Sequence, residues 1–246
     1  MLKGVNPFRI NIFSNGEPIS GVKVTSQSID MRRAVHNTEF EYGCLRGCCS
    51  MRSMRNMPDV LILEFSIEST SDIDLRITVS HDYPDGFSEK ETLARNLNAD
   101  GKIFPLLRTS ALYNEGKDRI VASTIAFSGR SGWQEGVSFT PGNIDLELSA
   151  GQKVNFAVAA AICASSDFSD PWNEADRQAI YVSQRGLDDM VQAHEREWEE
   201  LWKGDIIIDG EPEVQRNVRF AIYNLYSSIR AGSGRSISPM GLSSRG

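Results

Sequence analysis

The 246-residue sequence holds three histidines and four cysteines, and each shortage removes a class of chemistry. Histidine is the usual general base near neutral pH and the commonest metal ligand. His81 stands beside Asp82 as an oriented base would, yet no serine in a nucleophile-elbow context is there to use it. His194 falls on the apolar stripe of a helical stretch, the ordinary place of a packed, hydrogen-bonded core histidine. Cys44, Cys48 and Cys49 cluster, while Cys163 lies alone in an apolar run. A structural zinc site needs a close cysteine pair and a second pair or histidines. No second pair follows, and on a strand Cys48 and Cys49 would point to opposite faces. No metal site is expected. The thiols read as small hydrophobes kept reduced, which leans toward the cytoplasm.

Long apolar runs are also missing. The longest candidate, Val154 to Ala164, contains Asn155 and falls short of the roughly 18–20 residues a membrane helix needs. The opening Met-Leu-Lys-Gly-Val-Asn-Pro has no signal-peptide core. Positive charge is in deficit, with 26 Lys and Arg against 33 Asp and Glu, a net charge of −7. That argues against nucleic acid or an anionic membrane as partner, and leaves room for a neutral ligand such as a sugar. With 40% hydrophobic and 24% charged residues, the chain should build a packed core, as one large all-β domain or two smaller ones.

Short strands and turns fill the sequence from Phe8 to about Ser165. Phe8 to Phe13 alternates by twos and runs into Asn15-Gly16, a hairpin signal. Val60 to Ile67, Ile73 to Val79, Arg119 to Phe127, Ile144 to Leu148 and Val154 to Cys163 continue the pattern, the last two joined by the turn Ser149-Ala150-Gly151-Gln152. Such strands without intervening helices imply an antiparallel sandwich or barrel. The polar, charged stretch Pro84 to Leu97 reads as a surface loop.

After Ser165 the period changes. Asp170-Pro171 opens a helix that Gly186 should break. Leu187, Met190, Val191, His194, Trp198, Leu201 and Trp202 then fall at helical spacing, and Ile206 to Ile208 reads as a short strand. Pro212 starts a further helix, with Val214, Val218, Ala221, Ile222, Leu225 and Ile229 on one face and Phe220, Tyr223 and Tyr226 elsewhere. A helix so apolar around its girth expects burial by several partners, which the remaining Gly- and Ser-rich tail does not encode. Phe220, Tyr223 and Tyr226 should therefore be poorly covered and favour association.

Other features carry little chemistry. Gly232-Ser-Gly234 follows a helix, whereas phosphate-binding loops precede one. Glu195, Glu197, Glu199 and Glu200 read as solvated charges, and Trp133 as a core or rim tryptophan before a sugar platform.

Three ordered stretches resemble glycoside hydrolase family 65: His194-Glu-Arg-Glu-Trp198 to Ile206, Gln215-Arg-Asn-Val-Arg219 to Leu225, and Ser236 to Ser243. Gln27-Ser-Ile29-Asp30-Met31-Arg32 is similar to that family's Leu-Asp-Met-Arg segment. The family includes the maltose, trehalose and kojibiose phosphorylases and some α-glucoside hydrolases. The resemblance implies a β-super-sandwich, a helical linker, an (α/α)6 barrel holding the active site, and a small β-domain. It also implies inverting cleavage of an α-glucosidic bond, with a glutamic acid protonating the leaving oxygen and phosphate or water attacking the opposite face. That glutamate, and the Tyr-x-Gly-His-x-Phe-Trp-Asp motif after the Pro-x-Gly-Leu-Ser segment, would lie past Arg245-Gly246.

The expected fold is mainly β. An antiparallel β-super-sandwich should cover 1–168 with its opening strands missing, a helical linker 169–209, and the first helix of an incomplete (α/α)6 barrel 210–246. The expected role is that of a non-catalytic N-terminal part of an α-glucoside-cleaving enzyme, truncated at both ends. The rival is a free-standing sandwich that binds carbohydrate or a protein. No catalytic residue and no cofactor is assigned, inorganic phosphate being a co-substrate where the parent is a phosphorylase. Met240, Gly241, Leu242, Ser243 and Ser244 would form the edge of the sugar site. An α-glucoside disaccharide or oligosaccharide and a second copy of the chain are the expected partners.

Overall fold

The structure, a computed structural model, describes residues 4–99, 101–113, 119–128 and 136–229. Among these, the strands are β1 (Asn6–Ser14), β2 (Glu17–Pro18), β3 (Lys23–Asp30), β4 (Val35–Tyr42), β5 (Leu45–Ser53), β6 (Val60–Ser69), β7 (Ile73–Asp82), β8 (Phe87–Ala99), β9 (Lys102–Tyr113), β10 (Arg119–Ser128), β11 (Val137–Thr140), β12 (Asn143–Leu148) and β13 (Lys153–Ala164). The helices are α1 (Pro171–Arg185), α2 (Leu187–Trp202) and α3 (Pro212–Ser228). All described pairings are antiparallel. One sheet runs β11-β12-β7-β1-β2 and the other β3-β4-β5-β6-β13-β10-β9-β8. The mainly-β sandwich followed by helices is thus observed.

The period of two sorts side chains between the two faces of the larger sheet. On β13, Val154, Phe156, Val158 and Ala160 enter the core against the smaller sheet, with Ile77, Ile144 and Leu146. Ala157, Ala159, Ala161 and Cys163 face the other way, under Ala175, Ala179 and Val182 of α1. Both faces of β13 are therefore buried. Small residues on the helix side let α1 sit close, and truncating Phe156 to alanine should cost about 3–5 kcal/mol. The Asn15-Gly16 turn forms as read, with φ of 51° and 84° between the paired Ser14 and Glu17. Both angles are positive, as the two-residue hairpin turn that suits strand twist requires.

Helix α1 begins where its cap dictates. The Asp170 carboxylate accepts the Asn173 amide at 3.0 Å, Pro171 occupies the first turn, and Gly186 at φ 87° ends the helix. Asp176 pins it to the sheet. Its carboxylate is buried and takes Thr124 Oγ1 at 2.6 Å, Arg108 Nη1 at 2.7 Å, and Arg95.

Two expectations are corrected. The stretch 84–97 is no loop, since most of it is the long strand β8, paired with β9 along its length. It is an edge strand, exposed over most of its residues, so charge replaces the apolar alternation that marks inner strands. Ile206 to Ile208 is no strand either. The Gln215 amide donates to Ile206 O and accepts the Ile208 N–H, both at 2.8 Å, so a side chain serves these backbone groups in place of a neighbouring strand.

Candidate functional site

The most built-up polar and aromatic arrangement lies where the sandwich meets α2 and α3. It begins with Asp30 at the end of β3. Its carboxylate accepts the Arg32 and Arg33 amides at 2.9 and 3.2 Å, closing the turn into β4. The carbonyls of that turn then serve α2: Met31 O accepts Trp202 Nε1 at 3.0 Å, and Arg33 O lies 3.0 Å from His194 Nε2. His194 Nδ1 accepts the Arg55 amide at 3.0 Å, so Nε2 carries the proton and donates. Burial holds His194 well below the ordinary histidine value, at about 4, with the nearby Arg52 and Arg55 charges adding to the effect. It is a neutral core histidine, as its place on the helix stripe implies.

Arg55 continues the network into α3. Its Nη1 donates to Tyr226 O at 2.8 Å and Ile229 O at 2.6 Å, carbonyls at the helix's C-terminal end, and its guanidinium lies 5.9 Å from the centre of the Trp198 ring. Trp198 stacks on Tyr223 at 5.4 Å, and Trp202 meets Tyr226 edge-on at 6.1 Å. Asp205 and Arg219 close the other end through two hydrogen bonds to Oδ2, at 3.0 and 2.6 Å. Hydrogen bonding to Arg219 lowers the Asp205 pKa.

The expected poor cover of the α3 aromatics needs correction. Phe220 is 50% exposed, as read, but Tyr223 and Tyr226 are half-buried against the two tryptophans of α2. No described residue of α3 is fully buried, so one face is held while Val214, Phe220 and Leu225 stay in solvent.

A cavity of ≈ 700 Å³ opens beside this junction. Met51, Met54, Leu61, Trp198, Tyr223 and Ile229 give it apolar walls, with His36, Ser53, Asn56 and Glu197 among its polar lining.

Other singled-out residues do not assemble into a reaction centre among the described residues. Glu195 pairs with Arg33 at 3.8 Å and Glu200 with Lys203 at 2.6 Å, while Glu197 and Glu199 are exposed. His81 accepts or donates at Nδ1 to Thr109 Oγ1, 3.0 Å away, and burial lowers its pKa to about 4. Cys48 and Cys49 lie on β5, and Cys49 packs into the sandwich core, its thiol pushed up to about 12 by burial. Met240, Gly241, Leu242, Ser243, Ser244, Trp133 and Gly232 to Gly234 lie outside the described residues. Arg55 was not singled out by sequence. Nothing in Met54-Arg55-Asn56 marks which of the chain's many arginines would cross to a helix 171 residues away.

No protein-family model matches the chain. A kojibiose hydrolase of Mucilaginibacter mallensis is 30% identical to it over 100% of the chain, and one of Flavobacterium johnsoniae is 26% identical over 98%. These matches support a family 65-like N-terminal portion. The chain spans 38% and 37% of those two relatives' lengths. A solved structure described as a kojibiose phosphorylase from the human microbiome superposes with a TM-score of 0.66 over 91% of this chain and 31% of its own, at 15% identity. At that identity the likeness speaks for the family 65 fold alone.

Proposed function

We propose that this chain is the non-catalytic N-terminal part of an enzyme that cleaves α-glucosides by inversion, with residues 1–168 as its sandwich, 169–209 as the helical linker and 210–246 as the start of the catalytic barrel. The observation that carries this reading is the match to a kojibiose hydrolase along the full chain at little more than a third of that relative's length. Inverting chemistry needs an acid and a base about 6.5–9.5 Å apart across the sugar. The sandwich's part is to hold α2 and α3 in place, so that the segment Met240 to Ser244 can reach the edge of the sugar site. Water is the nucleophile in a hydrolase and inorganic phosphate in a phosphorylase. A second copy of the chain is a further partner of the parent.

Incubating the chain with kojibiose, with and without phosphate, tests the reading. Neither glucose nor glucose 1-phosphate should accumulate, and steady release of either would overturn it.

A further inference from the structure

We infer that strand β3 is a contact surface for a second copy of the chain, the two β3 strands pairing antiparallel about a twofold axis so that the larger sheets of both copies join. The inference rests on the second-copy partner proposed above and names its place on the molecule. β3 closes one end of the larger sheet, so one row of its N–H and C=O groups has no strand opposite. Seven of its eight residues are exposed, and Val24 and Ile29 keep 52% and 46% of their surface in water. The other sheet ends suit such pairing less. β2 and β11 hold two and four residues. Along β8, Lys90 is bound to Tyr83 O and Arg95 to Asp176.

The residues of β3 complement themselves. Val24 opposes Phe40 and Ser26 opposes Glu39, so Thr25 is an extra residue that bulges from the ladder. The bulge resets the alternation: Val24, Gln27 and Ile29 share one face, and Lys23, Ser26, Ser28 and Asp30 the other. Without it, Val24 and Ile29 would point to opposite faces. Set Gln27 against Gln27 of the second copy, antiparallel. Ser26 then meets Ser28, Val24 meets Ile29 and Lys23 meets Asp30, each on a matching face and each twice by symmetry. The charges are available for this. Asp30 uses Oδ1 for the Arg32 and Arg33 amides, which leaves Oδ2. Glu41, the acid across the ladder from Lys23, pairs with Arg46 at 3.5 Å. A slip of two residues would set Val24 against Gln27 and Lys23 against Ser28, losing both matches.

An eight-residue strand contact falls short of the about 1,200 Å² that stable complexes bury, so self-association should be weak, with a Kd of about 10–100 μM. Sedimentation velocity of the chain from about 1 to 300 μM should show monomer passing into dimer. Val24→Lys and Ile29→Glu change exposed positions, and each should weaken the dimer at least about tenfold with the melting temperature unchanged. Mixed one to one, the two variants should dimerise again, because a lysine then faces a glutamate at one end and the native pair stands at the other. Non-specific apolar association would show no such recovery. Failure of the mixture to recover, association that survives both variants, or association lost in Phe220→Ser instead would overturn the β3 contact and leave the second-copy partner standing. A monomer at every concentration would overturn both.

Discussion

Replacing Arg55 by alanine isolates what the sandwich contributes to α3. The variant deletes two charge-assisted hydrogen bonds to the helix's C-terminal carbonyls and the contact over Trp198. It keeps the Arg55 backbone bond to His194, because an alanine amide donates equally well. A cation at a helix C-terminus gives about 0.3–1 kcal/mol, and each charged hydrogen bond about 1.5–3 before water competes for the exposed carbonyls. Arg55 is half-buried, and α3 carries no basic residue in its last turn, so a net loss of about 2 kcal/mol is expected. That loss is local. In native-state hydrogen exchange read by mass spectrometry, the amides of 212–228 should lose about 30-fold protection. Amides of β6, β10 and β13 should not change. Arg55→Lys, keeping charge without the planar fork, should fall between the two. Unchanged α3 protection in Arg55→Ala, or an equal loss across the sandwich strands, would refute the claim that this side chain holds the helix.

Three further outcomes follow from the same contacts. His194 has a folded pKa of about 4, so between about pH 6.5 and 4 the unfolded chain binds a proton that the folded chain refuses. Its stabilising contribution is complete above pH 6.5 and is lost on acidification, about 2 kcal/mol between pH 7 and 5, so an unmoved urea midpoint would contradict it. Asp176→Asn should destabilise by about 3 kcal/mol, because it strips the counter-charge from Arg95 and Arg108 at the α1 docking face, and an unaltered chemical-denaturation midpoint would speak against that anchoring role. Hydrogen bonds from Ser71 and Ser69 lower the Cys44 pKa while burial raises that of Cys49. A thiol reagent at mildly alkaline pH should therefore label Cys44 well before Cys49, and the reverse order would show the reasoning to be wrong.

What was legible in the sequence follows from which physics writes itself locally. Inner strands such as β6 and β7 declare themselves by alternation, because one face must be dry. Strand β8 does not, since an edge strand can carry charge along most of its length and still satisfy one row of backbone groups through β9. Ile206 to Ile208 misleads in the opposite sense. Its β-branched side chains satisfy strand propensity, but Ile207 is 79% exposed and the backbone bonds go to Gln215. The α2 stripe was readable, His194 included, because a period of 3.6 fixes which positions share a face. The α3 face was not: Val214, Ala221 and Leu225, expected on it, are exposed, and Ile222, Tyr223 and Tyr226 make the contact with α2. Arg55 and the cavity were not readable, since both depend on bringing the β5–β6 connection against residues near 194 and 226, a juxtaposition no local pattern encodes.

Among the described residues, two of the stretches that carry the family 65 resemblance touch one another. Asp30-Met31-Arg32 and the stretch from His194 to Trp202 are more than 160 residues apart, yet they form one interlocked turn-and-helix contact. The dependence is directional. Asp30 folds the turn by accepting two amides, and the turn then presents Met31 O and Arg33 O to an indole and an imidazole. A hydrophobic residue at Trp202 or His194 would keep the burial but leave a carbonyl unpaired, which costs more than the lost contact itself. Phenylalanine or leucine could fill the same space on α2, so packing alone does not explain tryptophan and histidine here. Hydrogen bonding to that turn does. The same reasoning separates the two ends of the helical region: α2 is held by directional bonds to the sandwich, whereas α3 leans on α2's rings, on Arg55 and on the bonds of Gln215 and Arg219 to the segment that precedes it, and its outer face still has Phe220 and Leu225 in water. A helix tethered on one side and apolar on the other is the part of this fold whose position further packing can still fix.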